Sequence, residues 1–192
     1  MSNLTSKADD ILSCARSLIL KGGYHNFSYA DIASVVGIRK PSIHHHFPSK
    51  ADLVRTLVAK YREEAAAGFA QLDRNVADPL DRLGAYLGYW ERCIADASHP
   101  FCVCALLAGE IEALPEAVAL EVRAHFRALS DWLSAVLECG AAQGRLRLTG
   151  TARANAEMLM ATVHGAMLSA RAYGNAATFG DITRPLLQRL AA

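Results

Sequence analysis

Ser28-Tyr-Ala-Asp-Ile-Ala-Ser-Val-Val-Gly37-Ile-Arg-Lys-Pro-Ser-Ile-His-His-His-Phe47-Pro-Ser-Lys50 is the stretch that decides the fold. Ser28 and Asp31 have the spacing of a capping box, in which hydroxyl and carboxylate each take a backbone N–H at a helix start. Ile32, Ala33 and Val36 then fall on one helical face, and Gly37 ends the helix after about two turns. Pro41 suits the first turn of a following helix, where a missing N–H costs nothing. That helix carries Ser42 to Phe47 and stops at Pro48. Ser49 and Asp52 repeat the capping-box spacing and open a long helix through Leu53, Val54, Leu57, Val58 and Tyr61 to about Leu72.

The same periodicity extends in both directions. Ile11, Cys14, Ala15, Leu18 and Ile19 mark one buried face of a first helix from about Ser6 to Leu20, closed by Gly22-Gly23. Downstream, Asp78-Pro79 starts a helix ending near His99-Pro100. A short apolar helix covers Cys102 to about Glu112, and Pro115 opens a long one to about Gly140. Thr151 to Tyr173 and Asp181 to Leu190 complete about nine helices. The chain of 192 residues is 52% hydrophobic and 20% charged, rich in Ala and Leu and poor in aromatics. That composition and patterning predict an all-α globular fold. The expected division is a three-helix head, residues 1–50, and a helical bundle domain, residues 51–192.

Charge points to a partner for the head. Residues 1–50 hold six Lys/Arg against three acids, and residues 51–192 hold fourteen against sixteen. Residues 38–50 contain no acid. Two short helices joined by a tight glycine turn, with Arg39 and Lys40 opening the second, form a helix-turn-helix, whose second helix lies in the major groove of DNA. Its exposed face cannot be acidic, and its positive terminus favours phosphate oxygens. Consecutive helical residues point about 100° apart, so His44, His45 and His46 do not converge on a metal ion. No metal or cofactor is expected.

The pattern Ser28, Ile32-Ala33, Gly37-Ile38, Ser42-Ile43-His44, His46-Phe47, Ser49-Lys50 and Leu53 resembles the signature of the tetracycline-repressor-like (TetR/AcrR) family over about residues 7 to 60. The resemblance implies roles. Ser28 takes the place of a phosphate-contacting Thr or Ser. Arg39, Lys40 and Ser42 stand at the start of the reading helix, and Pro41 can touch a thymine methyl. His44 stands where the family usually has Tyr, and brings a pH-dependent charge instead. His45 belongs to the same helix, and Lys50 matches a lysine that reaches the DNA backbone. The implied partners are double-stranded, pseudo-palindromic operator DNA, a small-molecule effector and a second copy of the chain. In the family, effector binding moves the fourth helix and changes the separation of the reading helices.

The larger domain is less explicit. Tyr86, Tyr89, Trp90, Phe101, Cys102, Leu107, Glu110, His125, Phe126, Met158 and His164 are the candidates for an apolar effector pocket with a few orienting polar groups. Met158, Ala161, Gly165, Leu168 and Ala172, at three- and four-residue steps, permit close helix approach. By resemblance they pair, with Leu186 and Leu187, across a twofold axis in a homodimer. Cys102 and Cys104 at a helix start suggest a second reading, a thiol sensor of electrophiles or oxidants with His99 nearby. Five cysteines without a secretory signal imply reduced thiols, a cytoplasmic chain and no membrane. An enzyme or ligand carrier is the rival from another class. No H-E-x-x-H, C-x-x-C, Gly-rich phosphate loop or G-x-S-x-G supports catalysis.

Overall fold

The computed structural model describes residues 6–97 and 100–192. Among these residues the chain forms nine α-helices and one 3₁₀ turn: α1 Lys7–Gly22, α2 Tyr29–Val36, α3 Lys40–His46, α4 Lys50–Asn75, α5 Pro79–Ala95, α6 Val103–Ala108, the turn Ile111–Ala113, α7 Glu116–Ala142, α8 Ala152–Tyr173 and α9 Ala177–Leu190. The all-α reading holds. Starts follow their caps. Ser6 with Asp9 and Ser28 with Asp31 form complete capping boxes before α1 and α2. Asp78 accepts from the N–H groups of Leu80 and Asp81 before α5, and Thr151 from that of Ala154 before α8.

Three boundaries differ from expectation. Helix α5 stops at Ala95, where Asp96 caps it and Ala97 adopts a left-handed φ of 56°; His99 lies outside the described residues. The apolar run after Cys102 makes two elements instead of one. Gly109 and Glu110 donate to Leu106 and Leu107 in i→i+3 bonds, which tighten the chain and end α6. Helix α9 begins at Ala177, four residues early, because the Asn175 side chain accepts from the Ala177 N–H at 3.0 Å.

The helices fall into two compact units. One comprises residues to Glu63 together with Val103–His125. Within it α1 packs on α2, α3 and α6, over Ile11, Ile19, Ile32, Ile43, Leu53, Val58, Val103 and Leu107, all fully buried. Just beyond α6, the Glu110 carboxylate accepts from the Tyr24 N–H at 3.1 and 3.3 Å, tying the α1–α2 turn to a residue 86 positions away. Gly23 makes that approach possible. Its φ is 78°, and a Cβ there would stand 1.8 Å from Glu110 Oε1. Farther along, Arg62 pairs with Glu121 at 3.1 Å. Arg16 lies over the Tyr61 ring, which in turn meets His125.

The other unit comprises Glu64–Cys102 and Phe126–Ala192. Here α9 packs on α8 and α5, around Leu83, Leu133, Leu137, Leu159, Val163, Met167 and Phe179, none of them exposed. Arg145 pairs with Asp78 at 2.6 Å, and Arg184 with Glu91. Phe69 stacks on Trp132 with ring centroids 4.4 Å apart, and Tyr86 meets Trp132 edge-on at 5.7 Å.

Two stability measurements follow from the first unit. Gly23→Ala should cost about 2–3 kcal/mol, combining left-handed strain with displacement of Glu110. Gly37→Ala, at φ 70° with nothing within 4 Å of a Cβ, should cost only the strain, about 1–2 kcal/mol. Equal losses in thermal unfolding would remove the Glu110 contribution. Acid should weaken the same unit. The Lys60 ammonium, with Ser6, holds the Asp9 carboxyl below its usual range, and the Ser28 hydroxyl and N–H do so for Asp31. A carboxyl whose folded pKa is depressed stabilises above its unfolded pKa, about 4, and that stability is lost as pH falls through the folded value. Urea midpoints should therefore be flat from pH 7 to 5 and fall below about pH 4, less steeply in Asp31→Asn; an identical acid limb in both proteins would exclude Asp31 as a contributor.

Candidate nucleic-acid interface

The turn between α2 and α3 is built by Gly37. Its left-handed φ of 70° lets its N–H reach the Ala33 carbonyl at 3.0 Å, and Ile38 donates to the same oxygen at 3.2 Å. The chain is thereby redirected within three residues, and Pro41 fixes the first turn of α3. Ile43 and Phe47 are the buried side chains of this segment. Between them they face α3 so that Arg39, Lys40, Pro41, Ser42, His44, His45 and His46 are all exposed. Arg39, the residue before the helix, makes no capping bond with its side chain.

Several polar groups hold this face in place. The Tyr29 hydroxyl donates to the Phe47 carbonyl at 2.9 Å, and burial pushes its phenol up to about 12. His44 Nδ1 lies 3.2 Å from the Pro48 carbonyl oxygen, and its ring meets Tyr29 edge-on at 4.8 Å. Ser28 is exposed, but its Oγ serves the capping box, accepting from the Ala30 N–H and donating to Asp31. Lys50 turns inward. Its Nζ donates to the Phe27 carbonyl and lies 4.1 and 4.8 Å from the Phe27 and Tyr24 ring centroids. Burial lowers the pKa of this ammonium. Periodicity carries no trace of that arrangement, because the partners lie 23 and 26 positions upstream. Among the described residues, no three His, Cys, Asp or Glu side chains are grouped to hold a metal ion.

The residues expected around an effector belong to both units. Tyr86, Trp90, Phe101 and Cys102 are buried in the second unit. Phe126 and His164 meet there at 5.3 Å. Tyr89 and Met158 belong to the same unit but lie largely on its surface, 45% and 49% exposed. Leu107, Glu110 and His125 belong to the first unit. Leu107 is core, His125 packs on Tyr61, and Glu110 accepts from the Tyr24 N–H. Sequence reading passed over Phe69 and Asp73, which hold Trp132 by stacking and by hydrogen bonds of 3.2 and 3.3 Å from its indole N–H. Phe69 sits in an alanine- and charge-rich part of α4 with no apolar period to flag it.

Cys102 and Cys104 are 1% and 0% exposed and form no disulfide. On α8, Ala154, Met158, Ala161, Gly165, Leu168 and Ala172 are all exposed, while Leu159, Val163, Met167 and Ala170 are buried on the opposite face. Leu186 and Leu187 are half-buried, and Leu187 approaches Gly84 of α5. No helix among the described residues is long and apolar enough to cross a membrane.

Comparison with known proteins agrees with this architecture. Residues 11–57 match the model of bacterial regulatory proteins of the tetR family, and residues 79–186 match the tetracyclin repressor-like C-terminal domain. The crystal structure of a TetR-family transcriptional regulator from Agrobacterium tumefaciens is 74% identical, with a TM-score of 0.95 over 97% of this chain and 98% of that one. A TetR regulator from Legionella pneumophila is 25% identical, with a TM-score of 0.89 over 98% and 100%. The transcriptional repressor KstR2 of Mycobacterium tuberculosis is 28% identical over 46% of this chain, and the chain spans less than half, 44%, of that relative's length. With its reading head and its larger helical domain both matched, the chain belongs to the tetR family of bacterial transcriptional regulators.

Proposed function

We propose that this regulator works as a twofold dimer that holds a pseudo-palindromic operator and is released from it by a small-molecule effector. The observation that carries the reading is the outer face of α3, where Arg39, Lys40, Pro41, Ser42, His44 and His45 are exposed together and no acid occurs from 38 to 50. Arg39 and Lys40 reach base edges and phosphates, Ser42 and Pro41 contact bases, and Ser28 and Lys50 contact the backbone. Lys50 must leave the Phe27 carbonyl to do so. Repression is the expected sign, as in the relative KstR2, with residues 1–50 as head and the remainder as effector and dimer domain.

The exposed stripe of α8 supports dimerisation. Its residues advance by four, three, four, three and four positions, the repeat that keeps one seam facing a partner helix. Leu168, at 58% exposure, is a large apolar side chain left mostly uncovered by the described residues. Tyr86 supports an effector site in the second unit. Its hydroxyl is buried with no hydrogen-bond acceptor among the described residues, and the Trp90 indole lies near it. Such a group favours a ligand that brings an acceptor oxygen. The burial of Cys102 and Cys104 favours noncovalent sensing over the thiol reading.

The first test is titration of the protein against the DNA upstream of its own reading frame, with mixed-sequence competitor and varied salt. A saturable complex of two protomers surviving competitor is expected; binding to neither DNA at low salt, repeated after denaturation and refolding to strip any carried ligand, would exclude the function. Within that assay Arg39→Ala should lose about 1–3 kcal/mol on the best site and little on competitor. Equal loss on both would move Arg39 to the backbone. Ala161→Glu, at an exposed position, should leave helicity intact and convert dimers to monomers in sedimentation; a variant that stays dimeric would take α8 out of the interface.

A further inference from the structure

The geometry of the reading face sets the neutral tautomer of one of its three histidines. His44 Nδ1 faces the Pro48 carbonyl oxygen at 3.2 Å. A carbonyl oxygen only accepts, so Nδ1 carries the ring proton. In the neutral ring Nε2 then offers a lone pair and nothing else. A DNA phosphate oxygen is also an acceptor. Neutral His44 therefore cannot hydrogen-bond to phosphate while it keeps Pro48, whereas a proton on Nε2 supplies both a donor and a positive charge. We propose that DNA binding by this head is coupled to proton uptake at His44, so that the regulator holds DNA more tightly as pH falls from 8 to 6. The inference rests on the DNA-binding reading above and names a regulation of that same face.

The surroundings of His44 suit this role. Tyr29 of α2 meets the ring edge-on, and its phenol stays neutral throughout this pH range because burial holds it at about 12. Asp31, the carboxylate of α2, is turned to Ser28. On α1, Asp9 is paired with Lys60 and Asp10 with Lys7, and Cys14, Arg16 and Lys21 are its other ionisable groups. Lys40, His45 and His46 share α3 with His44, and Arg39 precedes them. Lys50, Asp52 and Arg55 open α4 beside Pro48; Asp52 acts on Tyr29 and Asp31 on Lys40, positions 38–50 themselves carry no acid, and a bound phosphate adds an anion that favours the imidazolium. Histidine is also the side chain whose charge ordinarily changes within this pH window. A twofold dimer doubles the number of protons taken up.

The experiment measures anisotropy of a fluorescent mixed-sequence duplex, and of the upstream DNA, between pH 6 and 8 at constant ionic strength, with circular dichroism at each pH. Wild-type affinity should rise roughly tenfold from pH 8 to 6, the scale set by one to two protons per dimer. His44→Gln, a neutral donor, should flatten the dependence. His44→Lys, a permanent cation, should bind at pH 8 about as tightly as wild type does at pH 6. Equal wild-type affinity at both pH values would overturn the proposal and leave the DNA-binding function standing. Undiminished pH dependence in His44→Gln would overturn it by assigning the protons elsewhere. Absence of binding at every pH would remove both.

Discussion

A helix of seven residues does not persist alone in water, because nucleation consumes more conformational freedom than its few hydrogen bonds return. Everything that α3 presents to a partner therefore depends on how it is pinned from beneath. Two apolar side chains, Ile43 and Phe47, enter the core there. The carbonyl of Phe47, freed by the following proline, is taken by the Tyr29 hydroxyl. Burying that hydroxyl is favourable only because it finds an acceptor. The result is a short helix with one fixed face and five outward polar or basic positions, a rigid presentation that fits an interface whose partner is itself rigid.

Local chemistry was legible in the sequence and distant chemistry was not. The capping boxes at Ser28 and Asp31 and the stop at Gly37 were readable because their partners lie within four residues. The α8 stripe was readable because its period is a property of one helix. Glu110 and Lys50 behaved otherwise. The sequence offers Glu110 as a pocket group and Lys50 as a DNA-backbone contact; in the structure the carboxylate also serves a backbone N–H of the α1–α2 turn and the ammonium the Phe27 carbonyl. These partners are set by tertiary packing across 86 and 23 positions, for which a single sequence has no period or spacing to consult. The pocket candidates split between two units for the same reason: apolar periodicity identifies a buried face but not what covers it.

Glu110 and Lys50 also act on one another through the same turn. A carboxylate holds Tyr24 by its N–H while an ammonium lies over its ring, and their attraction raises the proton affinity of Lys50 against the desolvation that lowers it. The turn that follows α1 is thus gripped on its backbone and on its side chain by opposite charges. A site so arranged resists bending, and it aligns α2 and α3 relative to α1 without adding residues to the head.

The grip on Tyr24 has a temporal consequence. The polypeptide emerges from the ribosome in order, at about 5–20 residues per second. The reading helix is complete by His46, yet Glu110, the carboxylate that grips the α1–α2 turn, is added 64 residues later, a delay of roughly 3–13 s at that rate. During those seconds the nascent head has its own small core and exposes the apolar surface of α1 that α6 later covers. The first half of the chain is therefore made before it can be finished, and its folding is tied to the synthesis of a segment that reads, in sequence, as part of the other half.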